Sequence, residues 1–135
     1  MRTVVIVDDD RAIRELLKCA LEYEDYAVMS LNDGSRVIAT LEAANEPCIV
    51  LMDLMMPLMD GWAVCRALAD RPDLLARHAL VLMSAGSPRD NMIPREARAF
   101  ISKPFDLYAL YRLLASFSST LLAAPIPMAC AALAS

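Results

Sequence analysis

Three aspartates, one serine and one lysine stand at the ends of apolar runs in this 135-residue sequence. Asp8 and Asp9 follow TVVIV, Asp53 follows IVLM, Ser84 follows ALVLM, and Lys103 follows FIS. A buried carboxylate is costly unless it is paired or binds a metal ion. Because all five side chains end similar apolar runs, we expect them to be partners for one another in space.

These residue types suit one kind of chemistry. Neighbouring carboxylates repel one another unless a cation lies between them, and oxygen ligands with room for water suit Mg²⁺. A divalent cation and the Lys103 amine would offset the charge of a phosphoryl group, to which the Ser84 hydroxyl could donate. An aspartate can itself accept that group as an acyl phosphate. The set therefore predicts phosphoryl transfer onto Asp53.

Strands must alternate with helices to position these side chains. The predicted strands are Thr3–Val7, Tyr26–Met29, Ile49–Met52, Ala79–Met83 and a run around Phe100–Ile101. Helical spacing follows the first of them at Ile13, Leu16, Leu17, Ala20 and Leu21, and a last helix spans Asp106–Phe117 with Asp106 as its N-cap. This alternation favours an α/β fold with a parallel sheet. Ligands of such sheets bind at the carboxyl ends of the strands, where the five side chains would meet.

Four strings carry a resemblance to a known family. VVIVDDDRAIRELL, IVLMDLMMPLMDG, LVLMSA and AFISKPF resemble, in order and spacing, the motifs of two-component response regulator receiver domains over about residues 2–117. The resemblance implies a flavodoxin-like, doubly wound, five-stranded parallel sheet with strand order 2-1-3-4-5. It also implies a stand-alone signalling switch similar to chemotaxis regulators, which catalyses its own phosphorylation and dephosphorylation and is not otherwise an enzyme.

The resemblance further implies a metal site and partners. Asp8, Asp9, Asp53 and the backbone carbonyl of Met55 would hold Mg²⁺, or Mn²⁺ in its place. Asp53 would take its phosphoryl group from a histidine kinase, a histidine phosphotransfer protein or a small donor such as acetyl phosphate. Phosphorylation would then change contacts with a downstream protein that the sequence does not identify.

Four other residues receive roles from the same resemblance. Ser84 and Lys103 would contact the phosphoryl group. Phe100, three residues before the lysine, stands where the family has an aromatic switch residue, and Ser84 would switch with it. The peptide bond between Lys103 and Pro104 would be cis.

Two alternatives stay open. A phosphatase of the haloacid dehalogenase type would use Asp8 as nucleophile, with Asp10 two residues later; against it, Ala12 replaces the usual hydroxyl or branched residue and no acidic pair follows Lys103. A degenerate receiver would bind a partner without phosphorylation, although the acids and the lysine argue against that. The aspartate that carries phosphate distinguishes the receiver from the phosphatase.

The sequence departs from the family in two segments. SPRDNMIPREAR contains Pro88 and Pro94, so we expect the fourth helix, between strands four and five, to be short, irregular or missing. We assign residues 1–119 to the receiver domain and residues 120–135 to an apolar, Ala- and Pro-containing tail.

Bulk composition narrows the class of protein. The net charge of −4 gives no support for nucleic-acid binding, and no apolar run reaches the length of a membrane span. The apolar run that begins at Thr3 is too short for the h-region of a signal peptide. We therefore expect a cytoplasmic protein. His78, the single histidine, is predicted to be a surface residue, and Cys19 and Cys65 to be small core residues.

Overall fold

Five parallel strands make one sheet in the order β2-β1-β3-β4-β5. This computed structural model describes residues 2–56, 58–85 and 93–117. The strands are β1 Thr3–Val7, β2 Ala27–Leu31, β3 Cys48–Asp53, β4 Ala79–Ala85 and β5 Ala99–Lys103. The predicted flavodoxin-like fold and its strand order are confirmed.

Helices connect the strands and cover both faces of the sheet. They are α1 Arg11–Tyr23, α2 Val37–Ala43 after a 3₁₀ turn at Gly34–Arg36, α3 Gly61–Ala69, α4 Pro72–Arg77 and α5 Leu107–Ser116. Aspartates cap three of them: Asp10, Asp60 and Asp106 each accept a backbone N–H from the first turn. Such caps satisfy donors that the helix itself leaves unpaired.

The core lies on both sides of the sheet because side chains alternate along each strand. Val4 and Ile6 of β1 belong to the cluster that contains α1 and α5 side chains, whereas Val5 and Val7 belong to the cluster with α2 and α3 side chains. All six residues of β3 are buried. A sheet covered on both faces explains why the strands are almost continuously apolar, with polar residues only at or next to their ends.

The helices between α3 and β5 differ in part from the prediction. The proline in Arg71-Pro72-Asp73 would by itself indicate the end of a helix, but here Pro72 begins α4. Proline suits the first helical position because it lacks an N–H that would have no partner there. The helix between β4 and β5 was predicted to be short, irregular or missing. Residues 86–92 of that segment lie outside the described residues. Residues 93–98 contain turns and no helix.

Several side chains lie in other surroundings than predicted. His78 is buried, with only 3% of its surface exposed, because the end of α4 places it against the start of β3. Leu16 is 57% exposed and Cys19 is exposed. The face of α1 that packs against the sheet is narrower than the set of apolar residues along the helix. Cys65 is buried, as expected.

The predicted tail, 120–135, lies outside the described residues. Within the described part of the chain, no helix is long and apolar enough to cross a membrane.

Candidate functional site

The register of the two central strands brings the acids together. Val7 of β1 pairs with Met52 of β3, so Asp8 and Asp53 follow equivalent positions at the same edge of the sheet. One carboxylate oxygen from each of Asp8, Asp9 and Asp53 lies within 4.8 Å of the others. Asp8 and Asp53 are buried, whereas Asp9 is exposed. The edge therefore holds two restrained acids and one that faces solvent.

Lys103, the last residue of β5, bridges the two buried acids. Its Nζ donates to Oδ2 of Asp8 at 2.8 Å and to Oδ2 of Asp53 at 2.9 Å. Burial lowers the pKa of Lys103, but the hydrogen bonds with Asp8 and Asp53 outweigh burial and leave the pKa raised. The lysine therefore stays protonated and offsets part of the negative charge.

Backbone donors hold the second oxygen of each buried carboxylate. Oδ1 of Asp8 accepts the N–H of Asp10 at 2.9 Å, and Oδ1 of Asp53 accepts the N–H of Met55 at 3.0 Å. All four carboxylate oxygens of Asp8 and Asp53 thus accept a hydrogen bond. Each oxygen has a further lone pair, so both groups are oriented and can still bind a cation.

The loop after Asp53 is packed closely against the sheet. Gly61 donates its N–H to the Leu54 carbonyl at 3.0 Å. A Cβ at Gly61 would lie 2.8 Å from Leu54 Cα and 2.9 Å from the Asp53 carbonyl oxygen, which is closer than side chains tolerate. Glycine at this position therefore lets the start of α3 approach the end of β3 and fixes the backbone that carries Asp53.

The remaining predicted site residues are Ser84, Phe100, Met55 and Pro104. Ser84 is half-buried at the end of β4, and its hydroxyl lies 3.4 Å from the Ala85 carbonyl oxygen. Phe100 is buried in the cluster with α2 and α3 side chains. The Met55 side chain is 69% exposed, while its N–H contacts Asp53. The peptide bond between Lys103 and Pro104 is cis.

One contact of the site was missed at the sequence level. Nη1 of Arg14, in the first turn of α1, donates to the backbone carbonyl of Asp8 at 2.6 Å. Side chains of helical residues lean toward the helix N-terminus, and this direction lets Arg14 reach back six positions. That geometric rule, applied to the first turn after the acids, could have indicated the contact.

The donor set fits a hard divalent cation. Carboxylate oxygens are the ligands that Mg²⁺ prefers, and Mg²⁺ keeps several waters when proteins bind it. Asp8 and Asp53 supply fixed oxygens, and the exposed Asp9 lies where water can complete the shell. These residues can hold Mg²⁺ or Mn²⁺, whereas a softer metal would require sulfur or nitrogen ligands that the cluster does not contain.

Comparison with other sequences gives one consistent match. A family model described as the response regulator receiver domain matches residues 4–115. Response regulator MprA of Mycobacterium sp. (strain KMS) is 37% identical over 107 residues, which are 79% of this chain and 46% of MprA. MprA of Mycobacterium avium (strain 104) is 35% identical over the same shares of the two chains. The chain thus matches less than half the length of these relatives.

Solved structures agree with the sequence match. A CheY-like response regulator receiver domain protein from Methanospirillum hungatei JF-1 has a TM-score of 0.73 and 32% identity, covering 85% of this chain and 92% of the other. The response regulator TrrA from Thermotoga maritima, solved in complex with Mg²⁺ and BeF, has a TM-score of 0.73 and 24% identity, covering 86% and 98%. The second likeness shows the fold alone.

Proposed function

Since this chain belongs to the response regulator receiver domain family of two-component signalling, we propose that it is a switch operated by phosphorylation of Asp53. The observation that carries the proposal is that the Lys103 ammonium donates hydrogen bonds to both Asp8 and Asp53, within a cluster of three acids. A buried, oriented carboxylate beside a fixed cation suits an acceptor for a phosphoryl group. Residues 1–119 form the proposed receiver unit, and 120–135 the proposed tail.

The proposed reaction is an in-line displacement at phosphorus. A carboxylate oxygen of Asp53 attacks, a new oxygen–phosphorus bond forms, and the bond to the donor breaks. With a phosphohistidine donor the electron pair returns to the imidazole nitrogen; with acetyl phosphate it leaves as acetate. Mg²⁺ or Mn²⁺, held by Asp8, Asp9, Asp53 and the Met55 carbonyl, would offset the charge of the phosphoryl oxygens.

The chain's own side chains would respond to the new group. Lys103 is already bonded to Asp53, so its ammonium can transfer a hydrogen bond to a phosphoryl oxygen without a large movement. The Ser84 hydroxyl must turn away from the Ala85 carbonyl to donate to the same group. We propose that this rotation, together with Phe100, changes the surface that a downstream protein contacts.

The proposed partners follow from this chemistry. A histidine kinase or a histidine phosphotransfer protein would supply the phosphoryl group, and a downstream protein would recognise the phosphorylated form. The net charge of −4 favours a protein over nucleic acid as the partner of this receiver unit. Because the MprA relatives are about twice as long as the matched region, the function of the whole protein depends on any part beyond it.

Geometry ranks the receiver above the two alternatives. Asp8, the nucleophile of the phosphatase alternative, has no exposed surface, whereas 7% of Asp53 is exposed, so a substrate phosphorus has less access to Asp8. A degenerate receiver has no need of a lysine bridging two buried acids, because such a cluster is costly to bury. Both arguments favour Asp53 as acceptor.

The decisive experiment determines which aspartate accepts the phosphoryl group. We would incubate the protein with acetyl phosphate and Mg²⁺ and record intact mass for wild type, Asp53→Asn and Asp8→Asn. We expect one phosphoryl group on wild type, none on Asp53→Asn, and none on wild type in EDTA. Uptake by Asp53→Asn at the wild-type rate would overturn the assignment, and loss only in Asp8→Asn would favour the phosphatase.

A further inference from the structure

We propose that Arg14 is a positioning residue, whose guanidinium fixes the metal-binding acids through the backbone of Asp8. This inference rests on the proposed function, because it assumes that Asp8, Asp9 and Asp53 bind a divalent cation. Arg14 itself does not touch the carboxylate oxygens in the structure. Its contact is with the carbonyl oxygen that joins Asp8 to Asp9, at 2.6 Å.

The Arg14 bond completes the restraint of Asp8. The N–H of Asp8 donates to the Leu31 carbonyl at 3.2 Å, and its carboxylate is held by Asp10 and Lys103. The remaining polar group of Asp8 is its carbonyl, which Arg14 holds. All polar groups of this residue are therefore hydrogen-bonded.

Asp9 depends on the same bond. The Asp8 carbonyl and the Asp9 N–H share one planar peptide unit, so fixing the carbonyl fixes the plane from which the Asp9 side chain departs. Asp9 is exposed, and among the described residues no hydrogen bond or ion pair holds its carboxylate. Arg14 is thus the side chain that orients the backbone of this solvent-facing ligand.

Stabilisation of α1 does not explain why residue 14 is an arginine. A cation in the first turn opposes the helix dipole, which favours acids there. Arg11 in the same turn forms an ion pair with Glu15 at 2.9 Å, whereas within the described part of the chain no carboxylate lies within ion-pair distance of Arg14. Arg14 is half-buried, and its guanidinium donates to a carbonyl of the acidic site instead.

Arg14 could position the metal ligands or act only as a nearby positive charge, and these two roles predict opposite changes in metal affinity when it is removed. If Arg14 acted only as a positive charge near three acids, its removal would tighten the binding of a cation. If Arg14 positions the ligands, its removal weakens that binding, because groups that orient metal ligands typically change metal affinity by about 10- to 100-fold. The direction of the change therefore decides between the two roles.

Mn²⁺ alone, without a phosphoryl donor, is the probe. Electron paramagnetic resonance reports the unbound Mn²⁺ directly, and competition extends the measurement to Mg²⁺. We expect Arg14→Gln to weaken Mn²⁺ binding by about 10-fold and Arg14→Lys to recover most of the affinity. Arg11→Gln is the matched control, which removes the same charge from the same turn and should leave affinity unchanged or slightly tighter.

Unchanged or tighter Mn²⁺ binding by Arg14→Gln would overturn the inference, as would wild-type protein that binds no Mn²⁺. Circular dichroism checks folding, and if Arg14→Gln does not fold, Arg14→Met, with an unbranched stem of similar length, takes its place with the same expectation. The test is separate from the proposed function. If wild type binds Mn²⁺ in an Arg14-dependent way but takes up no phosphate, phosphorylation fails and the positioning role stands.

Discussion

The Lys103 ammonium lies 2.9 Å from Oδ2 of Asp53, although 50 residues separate the two in the chain. The same nitrogen lies 2.8 Å from Oδ2 of Asp8, so one side chain from an edge strand joins the ends of both central strands. In the absence of a divalent cation, Lys103 is the counter-ion of the site. Its removal should therefore affect stability as well as phosphorylation.

Lys103→Met should destabilise the metal-free protein by about 2–3 kcal/mol. Breaking a buried ion pair costs about 3–5 kcal/mol, and the cost is lower here because the lysine side chain is 18% exposed. Mg²⁺ should recover part of the loss, since it replaces the missing positive charge. Urea unfolding in EDTA and in Mg²⁺ measures both effects.

Lys18→Met is the matched control for that experiment. Lys18 pairs with Glu22 on the exposed face of α1 at 3.6 Å, and such surface pairs contribute about 0–1 kcal/mol. If Lys103→Met and Lys18→Met lose the same stability in EDTA, the lysine bridge does not stabilise the metal-free site.

His78 should make folding stability depend on pH. Its Nδ1 accepts the N–H of Cys48 at 2.9 Å, so the buried imidazole is neutral and protonation would remove the acceptor. Burial lowers the pKa of His78 below 6.5, the nearby Arg77 lowers it further, and the Leu41 carbonyl partly offsets both. The unfolded chain therefore binds the proton more tightly. The stability that neutral His78 contributes is fully present above about pH 6.5. This contribution falls on acidification, by at most about 1.4 kcal/mol per pH unit.

Urea unfolding at pH 7.5 and pH 5.5 tests this dependence. The control is His78→Asn, whose side-chain oxygen can accept the Cys48 N–H but does not titrate. Carboxylates titrate in both proteins, so the difference between them isolates the single histidine of the chain. Equal losses of stability in the two proteins would show that His78 is not responsible.

Much of the fold could be predicted because local and global signals agree. The β-branched run Thr3–Val7 is followed at once by acids, and β1 has the same bounds in the structure. The meeting of Asp8 with Asp53 followed from one rule, that parallel strands end at a common edge. Asp106 was predicted as a helix cap and accepts the Tyr108 N–H, because capping depends only on neighbouring residues.

The rest depends on contacts that local sequence does not encode. Proline gives the same signal at the end of one helix and the start of another, so the local sequence does not indicate that Pro72 begins α4. His78 is buried by a strand 30 residues away. Long side chains such as Arg14 can reach several backbone groups, and only the packing of α1 selects the Asp8 carbonyl.

Met55 should set the lifetime of phosphorylated Asp53. An acyl phosphate is hydrolysed when water attacks phosphorus in line with the leaving carboxylate, and we expect the Met55 side chain, two positions after Asp53, to lie beside that approach. Met55 donates its N–H to Asp53, and its side chain is 69% exposed. A thioether is a weak acceptor, so it orients water poorly and its apolar chain can shield the path. Gly86, two positions after Ser84, would flank the other side of that approach, and it lies outside the described residues.

We therefore expect slow loss of phosphate in wild type and faster loss in Met55→Asn, whose amide can hold the attacking water. An increase of about tenfold is reasonable where a side chain orients a nucleophile. The rate of phosphate loss is measured by intact mass, from the decay of phosphorylated protein after acetyl phosphate is removed. Leu58→Asn is the matched control, because Leu58 is 92% exposed in the same loop but three residues further along the chain. If wild type decays as fast as Met55→Asn, or if Leu58→Asn accelerates decay equally, Met55 does not restrain hydrolysis.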